Sequence, residues 1–247
     1  ITCAYATTGN VIAKIAVTDA KNSSVLKHKT LVSGDTSYYH YSPATTIGST
    51  RISLDGTFSQ PNGQIYISSG DIVGYGSKQS LYTSDVIRVT KILDVGSGIT
   101  GDIVDLSANT DITSWYTFNN GQTDSHYDHA YISLKPGYTK PTGGILVIYD
   151  LYRHDSAKGY FSVDSYSDYG SIPSYTSKNG TTYNLRDCLD FRPARTNATS
   201  ATTFQGTTTL IPQDITNFVA DYGYYLGRKD RLVLTKDRSF EIIQGSP

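Results

Sequence analysis

Short bursts of alternating apolar and polar residues, separated by turn-forming clusters, recur along the chain and predict strands. Val11 to Val17 places Val11, Ile15 and Val17 on one face and Lys14 on the other, and Ile65-Tyr66-Ile67 and Val86 to Leu93 behave alike. Gln60-Pro61-Asn62-Gly63 and Gly70-Asp71 are strong turn signals between them. The first part of the chain therefore reads as a small β-sandwich of short strands. Breaks at Asp94-Val95-Gly96-Ser97-Gly98 and from Asp105 to Thr110 predict a domain boundary, with one domain over 1–105 and a second over 106–247.

In the second region Ala130, Ile132 and Leu134 alternate with Tyr131, Ser133 and Lys135 before Pro136-Gly137 turns the chain. Ile145 to Tyr152 is apolar on both faces up to Asp150, the pattern of a central strand covered on two sides. From Asp155 to Ser200 the periodicity weakens into Tyr, Ser, Gly and Asp, a long irregular loop of the kind that is functional or held by a partner. Arg231 to Thr235 and Phe240 to Gln244 then flank Lys236-Asp237-Arg238-Ser239 as a hairpin with a polar turn. The expected fold is all-β: two β-sandwich-like domains with the long irregular loop in the second.

Composition agrees. There are 21 Tyr against 7 Phe, 22 Gly, no Met and one glutamate, Glu241, a mix that suits pleated surfaces and turns rather than helices. The net charge of -1, without blocks of either sign, leaves no footprint for nucleic acid or an anionic membrane. The longest apolar run, Ile145 to Tyr149, is far short of a membrane-spanning helix. The chain opens Ile1-Thr2-Cys3 without Met, so it is expected to be a segment of a longer polypeptide. Cys3 and Cys188 lie far apart with no paired spacing and are expected to remain free thiols.

Asp124, His126, Asp128 and His129 offer carboxylate and imidazole ligands close together, which makes Asp124, His126 and Asp128 the candidate metal set. On an extended segment those three share a face while His129 points away, and the spacing matches no established metal motif. The favoured reading is a structural turn in which Asn120 and Asp128 bond backbone amides around Gly121, with no metal and no cofactor. Arg186, Asp187, Asp190 and Arg192 form a charge quartet among Leu185, Leu189 and Phe191, suited to locking the loop onto the sheet through two-pronged guanidinium–carboxylate bonds. The alternative is that Arg192 or Arg195 grips an anionic ligand. Catalysis finds little support: the imidazoles are His28, His40, His126, His129 and His154, there is no Gly-x-Ser-x-Gly elbow, and pairs such as Asp102/Asp105 or Asp164/Asp168 are merely permitted.

Phe118 to Asp128, Asn184-Leu185-Arg186-Asp187-Cys188-Leu189-Asp190-Phe191-Arg192-Pro193, and Tyr225 to Asp237, in that order, together with Tyr160 to Tyr166, resemble a domain family in the large virion structural proteins of tailed bacteriophages, notably those of cyanobacteria. The resemblance runs from about Trp115 to the end, and more faintly over Ser84 to Ile92. It implies a place in the virion, at the level of tail, baseplate or fibre, and a role in assembly. It brings no catalytic residue. Partners would be neighbouring tail proteins and further copies of the chain, as a homo-oligomer that the resemblance makes a trimer. Tyr160, Tyr166, Tyr169 and Tyr175 in the irregular loop are the expected contact surface, since tyrosine gives area at low entropic cost. The rival expectation is an adhesin module that stacks host-surface glycans on the tyrosines between Tyr160 and Tyr183.

Overall fold

Ten residues, Ile145–His154, form the strand on which the fold is built, and all but Arg153 are buried. The computed structural model describes residues 13–17, 25–40, 46–47, 50–54, 61–96, 99, 103–155, 159–196, 220–224 and 229–245. These belong to two units, one of residues 24–213 and one joining 1–23 to 214–247. The all-β expectation holds: among the described residues strands dominate and the only helical pieces are single 3-10 turns.

In the larger unit the central strand pairs antiparallel along one edge with Val86–Asp94. Its other edge is shared, Pro61–Ile67 pairing with the first half and Lys29–Val32 with the second. Thr50–Leu54 and Thr46–Ile47 extend the sheet on that side and Thr110–Asp111 on the other. A smaller sheet has His129–Leu134 between Tyr116–Asn119 and Gln79–Ser84. The two sheets share a core to which Ile145, Val147, Tyr149 and Leu151 contribute from the central strand and Ile132 and Leu134 from the smaller sheet. Leu146 and Ile148 face the other way, into a second cluster with Tyr39, Tyr66 and Leu106. Two covered faces explain why the central strand is apolar at successive positions, as its sequence predicts.

The expected division at residue 105 is corrected. Strands before it hydrogen-bond to Ile145–His154 after it, so the turns near 94–98 and 105–110 connect parts of one fold. A strand buried on both faces needs partners on both edges, and the chain supplies them from its first half. Pro61-Asn62-Gly63, expected as a turn, instead opens the Pro61–Ile67 strand, where Gly63 adopts φ 82 beside a register shift in its neighbour.

Within the irregular loop, residues 159–196 contain three 3-10 turns, at Val163–Ser165, Tyr169–Ser171 and Leu185–Asp187, and a small hairpin of Ser174–Thr176 with Thr182–Asn184. Phe161 and Asp190 exchange two backbone hydrogen bonds of 2.8 Å and close the base of this segment.

In the smaller unit Ala13–Val17 pairs antiparallel with Ala220–Tyr224. Arg231–Leu234 pairs with Phe240–Ile243 about the expected polar turn, where Arg238 takes φ 60. Leu232 lies opposite Ile242 and Leu234 opposite Phe240, which puts four apolar side chains on one face, each 63–71% exposed. Val11, Ile12, Cys3, Asp102, residues 197–200 and residues 225–228, on which expectations also fell, lie outside the described residues.

Candidate functional site

Asp85 is the single residue linking Gln79–Ser84 in the smaller sheet to Val86–Asp94 in the larger. It turns this corner at φ 54, a left-handed conformation that costs a non-glycine residue on the order of 1–3 kcal/mol and persists only where surroundings enforce it. Its carbonyl accepts from Tyr152 N at 3.0 Å, and its carboxylate is turned into the interior. Lys29 and His154 face each other in register across the sheet and converge on that carboxylate. Lys29 Nζ donates to Asp85 Oδ2 at 2.8 Å, His154 Nε2 bonds the same oxygen, and Gln122 Nε2 donates to Oδ1 at 3.4 Å.

The network continues through Tyr127, whose Oη accepts from Lys29 Nζ at 3.1 Å and donates to Asp190 Oδ2. Arg192 grips Asp190 with two prongs, Nε to Oδ1 and Nη2 to Oδ2, both at 2.9 Å. Aromatic rings wall it in: Lys29 Nζ lies 4.3 Å from the Tyr127 ring centre, 4.5 Å from Phe161 and 5.2 Å from Tyr166, so the ammonium faces π-clouds wherever it does not meet oxygen.

Burial pushes the Asp85 carboxyl up, but the adjacent Lys29 ammonium and then His154 outweigh it and hold it below the usual carboxylate range. Burial, then Lys29, brings the His154 imidazole down to about 4 against the pull of Asp85, so it is neutral at pH 7. Burial, then Asp190, raises the Tyr127 phenol well above its ordinary value and keeps its proton. Burial, then the proximity of Lys29, lowers Lys27 to about 8.

Beyond Arg192 lies an open cleft of about 710 Å³, whose lining includes Asp124, Tyr175, Asn179, Tyr183 and Phe191. The guanidinium is sandwiched between the Tyr127 ring at 4.4 Å, inside, and the Tyr175 ring at 4.3 Å, on the cleft side. Arg192 is thus the partition between buried network and cleft. Tyr175 Oη donates to Asp124 Oδ1 at 2.5 Å, which fixes the cleft's rim.

The charge quartet divides. Asp190 and Arg192 join the buried network, whereas Arg186 and Asp187 are exposed, 3.7 Å apart, with Arg186 over the Tyr169 ring. The expected tyrosine surface is corrected in part: Tyr160 and Tyr166 are buried, packed on Phe191 and Tyr152, because the loop folds back on the sheet. Tyr169 is exposed and Tyr175 half-buried. Of the candidate metal set, His126 Nε2 and Asp128 Oδ2 lie 3.9 Å apart, but Asp128 Oδ1 pairs with Arg195 at 2.8 Å, His126 Nδ1 meets the Thr123 and Ser125 hydroxyls, and Asp124 turns to Tyr175. Among the described residues no three metal-ligating side chains gather.

Asn120 Oδ1 accepts from Gln122 N at 3.1 Å and Asp128 Oδ1 from His129 N at 2.7 Å, around Gly121 at φ 72. A Cβ on Gly121 would meet the His129 carbonyl oxygen at 2.3 Å. Gly121→Ala is therefore expected to destabilise the larger unit by roughly 1–3 kcal/mol, read as a lower urea midpoint.

Sequence reasoning missed Lys29, Asp85 and Tyr127 and treated His154 only as one imidazole among five. The available signal was Asp85 between two strand patterns, and a lysine and a histidine close to the apolar pairs Leu31-Val32 and Leu151-Tyr152. Comparison with known proteins finds no match. No family model, curated protein or solved structure matches the chain.

Proposed function

We propose that this chain is a structural module of a tailed-phage virion, at the level of tail, baseplate or fibre, that makes assembly contacts and turns over no substrate. The observation that carries the reading is the apolar face of the Arg231–Ile243 hairpin. Leu232, Leu234, Phe240 and Ile242 are exposed together there, and among the described residues the hairpin pairs with no third strand; a two-stranded hairpin is marginal in water, so a neighbour covering that face stabilises it. The neighbour is a further copy of the chain or another tail protein. Tyr169 remains available as a contact, whereas Tyr160 and Tyr166 brace the loop from inside. The charges at the cleft edge are already paired, Arg192 with Asp190, which favours a mechanical role for them over a chemical one.

Replacing Leu234 and Phe240 by lysine is expected to abolish self-association of the full chain in light scattering while leaving its strand signal in circular dichroism unchanged. If both proteins have the same monomeric mass, the homo-oligomer is wrong and the face belongs to another tail protein. A map of the intact particle then locates the chain directly.

The adhesin reading is favoured by one observation, the cleft with Tyr175, Tyr183, Asp124 and Asn179 on its walls, a combination of ring faces and polar groups that suits a saccharide. Binding on a glycan array that is lost in Tyr183→Ala supports it; no saccharide preference leaves the assembly reading alone.

A further inference from the structure

We propose that Lys29 and Asp85 condense to an intramolecular amide that ties the Lys29–Val32 strand covalently to the corner between the two sheets. The proposal stands independently of the virion reading. Lys29 Nζ lies 2.8 Å from Asp85 Oδ2, and the two side chains are only 0% and 2% exposed. Tyr127, Phe161 and Tyr166 enclose them, so water that leaves is not readily replaced. The left-handed backbone at Asp85 and the cross-strand register of Lys29 with His154 hold nucleophile and carbon in one arrangement, which converts an improbable encounter into an intramolecular one.

The step balances without any co-reactant. Lys29 carries three protons on Nζ and Asp85 carries none. One proton passes along the 2.8 Å hydrogen bond to Oδ2, and the freed lone pair of Nζ attacks Cγ. The Nζ–Cγ bond forms, a second proton passes from the adduct to Oδ2, the Cγ–Oδ2 bond breaks, and Oδ2 departs as water. One proton stays on the amide nitrogen and the net charge is unchanged. The neighbours fit these demands. His154 presents Nε2 to the departing oxygen, Gln122 Nε2 faces Oδ1, which stays as the amide carbonyl, and Tyr127 Oη accepts from Nζ and orients it while donating its own proton's hydrogen bond to Asp190. Two desolvated charges become one neutral amide, which removes the main cost of burying them.

Intact-mass spectrometry of the full folded chain, followed by tryptic mapping, tests this. The expected mass is one water below that of the sequence, with Gln79–Arg88 joined to a peptide beginning at His28, since an acylated Lys29 resists trypsin. Lys29→Arg is expected at its full sequence mass. In Asp85→Asn ammonia leaves instead of water, so its cross-linked product has the same mass as cross-linked wild type. Wild-type protein with a native strand signal, at full sequence mass and with the Gln79–Arg88 peptide unlinked, overturns the proposal. So does a water-deficient mass whose linkage maps elsewhere.

Discussion

Asp85→Ala is expected to cost the larger unit about 3–5 kcal/mol of stability, measured as a loss of urea midpoint at neutral pH. The magnitude is that of removing one partner from a buried ion pair, which leaves the other charge desolvated and uncompensated. Lys29 is fully buried, and no carboxylate other than Asp85 lies within salt-bridge distance of its ammonium among the described residues. The substitution also frees His154 Nε2, in a ring whose Nδ1 already has no hydrogen-bond partner among those residues. Lys29→Met combined with Asp85→Leu removes both charges and is expected to be more stable than either single variant. An amide between the two residues would change the size of these losses and not their direction.

Acid should weaken the same region well before general acid denaturation. The His154 imidazole is held down to about 4 by burial and by Lys29, with Lys27 adding to the effect and Asp85 opposing it. In the unfolded chain it titrates near ~6.5. Between those values the unfolded state binds the extra proton, so stability falls as pH drops from about 6.5 to about 4, by roughly 3 kcal/mol in total. Where Asp85 is a free carboxylate, its depressed carboxyl adds its own loss lower down, as pH falls through the ordinary carboxylate range toward its folded value. Urea midpoints recorded from pH 7 to 4 check this, and His154→Gln is expected to remove most of the slope above pH 5.

The frame was legible where one physical signal dominated. Ile145 to Tyr152 is apolar without alternation because both faces are covered, and the polar turn at Lys236–Ser239 sits between two apolar runs. The domain boundary was not legible, because a turn signal says that the chain reverses and says nothing of which sheet it rejoins. The same limit hid the site. Lys29, Asp85, Tyr127 and His154 are distant in sequence, and only the placement of Lys29–Val32 beside the end of the central strand brings them together. Asp190 and Arg192 were found because their pairing is local, two residues apart. Tyr160 and Tyr166 misled because a tyrosine's composition signal is the same whether its ring faces solvent or, as here, packs on another ring.

The double hydrogen bond between Phe161 and Asp190 makes what lies between them a cassette. Its ends are clamped to each other, and Tyr166 and Ser171 tie its first half to Tyr152 of the central strand, which leaves the outer hairpin as the part farthest from the frame. At its tip Gly180 turns at φ 87 with open space around it, next to the exposed Asn179. A foreign peptide inserted at that tip would be displayed away from the frame, with the flanking Ser174–Thr176 and Thr182–Asn184 strands as its stem.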